Sequence, residues 1–76
     1  MIDDRPDREL EFRKKLATVR KGAGLTQKEL ETLSGLDQRT ISRIESNSGI
    51  SPSLKIIVKY LAVMGYELDI VKAENE

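Results

Sequence analysis

Gly24-Leu25-Thr26-Gln27-Lys28-Glu29-Leu30-Glu31-Thr32-Leu33-Ser34-Gly35-Leu36-Asp37-Gln38-Arg39-Thr40-Ile41-Ser42-Arg43-Ile44-Glu45 is the stretch on which the fold turns. Thr26-Gln27-Lys28-Glu29 has the spacing of a capping box. The Thr26 hydroxyl can take the amide three residues on, and the Glu29 carboxylate can reach back to the Thr26 amide. Leu30 and Leu33 are expected to face inward, and Gly35 to end that helix. Asp37 can cap a second short helix over about Gln38 to Glu45, with Ile41 and Ile44 turned to the core. Two helices of about eight residues then meet across a tight turn at Gly35.

Upstream, Phe12, Leu16 and Val19 at i, i+4 and i+7 predict a helix from about Asp7 to Lys21, with Gly22 and Gly24 at its end. Gly22-Ala23-Gly24 also resembles a fragment of a phosphate loop, but no strand precedes it. Downstream, Ser46-Asn47-Ser48-Gly49 reads as a loop. Ser51 is then expected to cap a fourth helix, roughly 52–64, with Pro52 at its first position. Leu54, Ile57, Val58, Leu61 and Ala62 form one apolar stripe along it, and Ile56, Tyr60 and Val63 form another. A helix apolar on two faces needs cover on two sides. The pair of short helices around Gly35 has the length and punctuation of a helix-turn-helix.

After Gly65 the period changes. Tyr66, Leu68 and Ile70 alternate with Glu67, Asp69 and Val71, which predicts a short strand; continuation or fraying of the fourth helix is the other reading. A lone strand cannot satisfy its backbone groups. Its expected partner is the same strand of a second copy, with Ile56, Tyr60, Val63, Tyr66, Leu68 and Ile70 forming a homodimer interface.

Composition narrows the function. There is no cysteine and no histidine among the 76 residues, so disulfides, thiolate metal sites and the commonest general base are missing. No metal, cofactor or catalysis is expected. Apolar runs such as Ile56-Ile57-Val58 are too short to span a membrane. The opening Met-Ile-Asp-Asp lacks the layout of a secretory signal, and a cytoplasmic location is expected. Net charge is zero but unevenly spread. Residues 12–66 hold ten Lys or Arg against four acids, while both ends are acidic. A basic middle of this kind suits contact with nucleic acid.

Gly24 to Leu30, then Ser34-Gly35-Leu36, then Thr40-Ile41-Ser42-Arg43-Ile44-Glu45 resemble the helix-turn-helix of the Cro/cI and XRE family, and Ser51-Pro52-Ser53-Leu54 and Met64-Gly65 resemble its next helix. The resemblance covers roughly residues 12–65. It departs at Glu31, where the family usually has Ala, and at Asn47, where a Gly is usual. It implies an all-α, Cro/cI-like bundle, here with a C-terminal β-strand pairing across a homodimer. The expected organisation is an acidic segment over 1–7, a DNA-binding domain over 8–65, a dimerisation strand over 66–72 and a flexible tail over 73–76.

In such a motif the second helix enters the major groove of double-stranded operator DNA. Gln38, Arg39, Ser42 and Arg43 lie opposite Ile41 and Ile44, which makes them the expected base readers. Expected backbone contacts are Thr26, Gln27, Lys28, Thr40, Asn47, Ser48 and Lys55; the resemblance places Gln27 at a phosphate. It also implies a structural ion pair between Arg20 and Glu45. Gly65 to Val71 is similar to the tails of HigA- and HipB-type antitoxins. That implies a transcriptional repressor of a type II toxin–antitoxin pair with a HigB/RelE-like or HipA-like toxin as partner. A repressor of the same family without a toxin is the alternative.

Overall fold

A computed structural model describes residues 7–46 and 50–72. Four helices run α1 Asp7–Gly22, α2 Gln27–Ser34, α3 Gln38–Ser46 and α4 Leu54–Ala62. Residues 1–6, 47–49 and 73–76 lie outside the described residues, and with them all but the last residue of the expected acidic segment 1–7, the expected tail 73–76 and the expected contacts Asn47 and Ser48.

The capping box at α2 forms as the sequence demands. Glu29 N donates to Thr26 Oγ1 at 3.0 Å and Thr26 N to Glu29 Oε1 at 2.8 Å. At the other end Gly35 takes φ +80° and returns its amide to the Glu31 carbonyl at 2.9 Å. That left-handed turn sets α3 off on a new axis. Asp37 then caps α3: its carbonyl accepts from Ile41 N at 3.0 Å, and its Oδ1 from Arg39 N at 3.2 Å.

The core is Leu16, Leu30, Leu36, Ile41, Ile44, Ile57, Tyr60 and Leu61, with Leu25, Ile56 and Met64 packed against it. Helix α3 packs on both α1 and α2, and α4 on α2. The two isoleucines of α3 are nearly inaccessible, so this helix is fixed from below while its opposite side stays open.

Four sequence expectations change here. Leu33 is 56% exposed; the buried line of α2 is Leu30 and Ser34, one full turn apart. Each of the two stripes of α4 is divided between core and surface: Ile57 and Leu61 of the first are buried, and Val63 of the second is exposed. Tyr60, expected in a dimer interface, is fully buried, and Ile56 is half-buried against the core. Leu54 and Val58, expected inside, are exposed.

The cap of α4 moves from Ser51 to Ser53, whose Oγ accepts from Ile56 N at 3.2 Å. Ser51 is engaged elsewhere, donating to Glu9 Oε2 at 2.5 Å. Finally, residues 66–72 form no strand. The chain leaves α4 through Gly65 at φ +84°, with Tyr66 N donating to the Leu61 carbonyl at 3.1 Å. The Ile70 amide turns to Asp69 Oδ1 at 2.7 Å rather than to a ladder. A strand needs a second strand, and none exists among the described residues.

Candidate nucleic-acid interface

The open side of α3 follows from its period. With Ile41 and Ile44 inward, Gln38, Arg39, Ser42 and Arg43 point away from the core, and all four are exposed. They line one concavity of about 440 Å³ together with Gln27 and Asp37. Neither the Arg39 nor the Arg43 guanidinium is ion-paired among the described residues. Two free, flat, permanently charged donors therefore stand one turn apart on a helix held rigid from behind, with an amide at its start and a small hydroxyl between them.

Around this face the other expected contacts divide. Gln27 lines the same concavity. Thr26 is exposed, but its hydroxyl already serves the α2 cap. That cap satisfies the Glu29 amide and leaves those of Gln27 and Lys28, in the first turn, without an intrahelical acceptor. Lys28 is largely exposed, with Glu31 Oε1 4.0 Å from its Nζ. Thr40 is half-buried and opens onto a smaller groove with Arg13, Arg43, Ile44 and Pro52. Lys55 is exposed on α4 and belongs to neither concavity.

Behind the face stands a polar cluster. Arg20 and Glu45 meet in a bidentate pair, Nε to Oε2 at 2.7 Å and Nη2 to Oε1 at 2.8 Å, both side chains under a tenth exposed. The carboxylate takes two more donors: Gln27 Nε2 at 3.0 Å on Oε1, and the Tyr60 hydroxyl at 2.5 Å on Oε2. The same hydroxyl lies 2.9 Å from the Leu16 carbonyl. Arg20 Nη1 donates onward to the Leu25 carbonyl at 2.7 Å. All four acceptor positions of Glu45 are thus filled, and its partners come from α1, α2 and α4.

The charges respond to this packing. Burial alone would raise the Glu45 carboxyl, but hydrogen bonds from Arg20, Tyr60 and Gln27 outweigh it and hold it below its ordinary value. The bond to Glu45 keeps the Arg20 guanidinium above its ordinary value, against the opposing effect of burial. Burial, and then the adjacent carboxylate, push the Tyr60 hydroxyl well up.

A second arginine of α1 holds the far end of α3. Arg13 is 3% exposed; its Nε donates to the Ile44 carbonyl at 2.9 Å and its Nη2 to the Arg43 carbonyl at 3.1 Å. A cation on the last carbonyls of a helix matches the sign of its dipole. Arg13 Nη1 reaches Glu9 Oε2 at 2.9 Å, the oxygen that also accepts from Ser51. Sequence reading missed Arg13, and missed Tyr60 and Gln27 as partners of Glu45. The available signal was Arg13-Leu16-Arg20 at i, i+3 and i+7, which sets two arginines on the buried stripe of α1.

A helix-turn-helix family model, HTH_3, matches residues 16–71. The chain belongs to the helix-turn-helix family. Among curated relatives, an uncharacterized HTH-type transcriptional regulator of Haemophilus influenzae is 47% identical over 58 residues, or 76% of this chain. The chain spans 58% of that relative's length. Within this helix-turn-helix protein, α2 and α3 are the two helices of the motif, and the concavity lies where they meet. No helix among the described residues is long and apolar enough to cross a membrane.

Proposed function

We propose that this helix-turn-helix protein is a sequence-specific DNA-binding transcriptional repressor that reads operator DNA through α3. The carrying observation is the open face of α3, where Gln38, Arg39, Ser42 and Arg43 share one concavity with Gln27. Arg39 and Arg43 would each address guanine O6 and N7, Gln38 the edge of adenine, and Ser42 would permit close approach. The first-turn amides of α2 with Lys28, flanked by Thr26, Thr40 and Lys55, would meet phosphates and set register; Asn47 and Ser48 belong to the same expectation. The relative from Haemophilus influenzae, named as a transcriptional regulator, supports the class.

The binding form we propose is a homodimer, since operators read by this motif are two half-sites related by a two-fold axis. Leu54 and Val58 on α4, with Val63, Tyr66, Leu68 and Ile70, expose the apolar surface such a dimer would bury. In the finer reading the protein is the antitoxin of a type II toxin–antitoxin pair, with a HigB/RelE-like or HipA-like toxin as its partner. The other reading is a repressor with no toxin.

Titration into DNA from upstream of its own gene at two salt concentrations tests the central claim. The wild type is expected to bind tightly with a steep salt dependence, and the Arg39→Ala/Arg43→Ala variant to fall to the level of scrambled DNA. Equal binding to cognate and scrambled sequence by the wild type would refute it. Co-purification of the product of a neighbouring gene separates antitoxin from plain repressor.

A further inference from the structure

Gln27 is held in one orientation. Its amide group faces a carboxylate, which can only accept, so the nitrogen must be the inward end and the assignment admits no flip. Glu45 cannot turn away, because Arg20 grips both its oxygens and Tyr60 takes one of them again. The other end of the amide, the carbonyl Oε1, has no partner among the described residues, and the residue lines the concavity of α3. Every neighbouring cation there is a donor already suited to guanine, whereas Gln27 brings an acceptor. An acceptor repels phosphate oxygen; it suits an exocyclic amino group, which adenine and cytosine alone present in the major groove.

We propose that Gln27 is a specificity-determining residue whose carbonyl oxygen reads the amino group of an adenine or cytosine, and that Glu45 is the residue that positions it. This rests on the DNA-binding reading above. It divides Gln27 between two tasks, with its backbone amide at a phosphate and its side chain at a base edge. It also gives Glu45 a part in recognition without any contact to DNA.

The test begins with sites selected from random duplexes by the wild-type chain. In one such site each adenine is replaced in turn by purine, and each cytosine by 2-pyrimidinone, so that single amino groups are deleted. One position is expected at which deletion weakens wild-type binding about fivefold to tenfold, the worth of one hydrogen bond. In Gln27→Met that deletion is expected to cost nothing further, while penalties at the arginine-read positions persist. Glu45→Gln, folded by circular dichroism, is expected to shrink the same penalty selectively; a merely structural role would scale all positions together.

Should Glu45→Gln fail to fold, the Gln27 side-chain amide in the wild type gives the answer by NMR. A rigid amide with one shifted, protected proton supports positioning, and a freely rotating one overturns it. Identical analogue profiles for wild type and Gln27→Met overturn the base contact while leaving the DNA-binding reading intact. If the wild type selects no site at all, that reading fails and takes the proposal with it.

Discussion

The carboxylate of Glu45 is the residue on which the interior depends most. Removing one partner of a buried pair leaves the other charge desolvated and unmatched, so Arg20→Ala is expected to cost about 3–5 kcal/mol. In so small a domain that is most of the folding free energy, and urea unfolding will show it as a midpoint shifted sharply down. Tyr60→Phe is milder, about 1–2 kcal/mol, because Arg20 and Gln27 still serve the carboxylate. The two titrations act at opposite ends of the pH scale. Glu45 is held below its ordinary value of 4.5, so its contribution is whole above that pH and drains away as acid drives it through the folded value. Tyr60 is raised above 10.0, so its contribution is whole below pH 10 and is lost as alkali rises past it. Thermal melts of wild type and Tyr60→Phe across pH 9 to 12 will separate the second effect: the phenylalanine variant is expected to lose the steeper part of the alkaline decline.

Among the elements, the helix boundaries give the cleanest contrasts. A Cβ at Gly35 would meet nothing within 4 Å, yet φ is +80°. Gly35→Ala is therefore expected to cost about 1–2 kcal/mol through backbone conformation alone, read as a shift in the denaturation midpoint. Ser53→Ala is expected to cost about 1 kcal/mol as loss of the α4 cap. The α2 box and the Asp37 cap were legible because their signals are local: residue types three apart, bonding across a single turn. The α4 cap was not, since Ser51 and Ser53 are equal candidates until Glu9, 42 residues from Ser51, claims one of them. The same limit hid Arg13. Periodicity marks which face of a helix is buried, but it does not say that a buried arginine will find two carbonyls at the end of a helix 30 residues away. The open face of α3 was legible, because Ile41 and Ile44 fix it by period alone.

For the molecule as a whole, the error over α4 is instructive. Two apolar stripes were visible, but the core takes Ile57 and Leu61 from one and Tyr60 from the other, a division set by the position of α2 and the polar interior that draws in a tyrosine. Tyr60 belongs inside because its hydroxyl has two acceptors there. Leu54 and Val58 are left facing outward, beside Lys55 and Lys59. If the chain self-associates as proposed, Leu54→Lys/Val58→Lys is expected to yield monomers by sedimentation with the helical content unchanged. Operator affinity would then fall by orders of magnitude while weak half-site binding persists.

Glu45 takes its donors from all three of the other helices, and this bears on how the protein comes apart. No helix can swing out alone without stripping a ligand from a sequestered anion, so partial openings carry nearly the penalty of complete ones. Backbone amides at the centres of the four helices are therefore expected to exchange with solvent through a single all-or-none event, sharing one opening free energy. A protease would then meet this domain either closed or wholly unravelled, with no half-open form between.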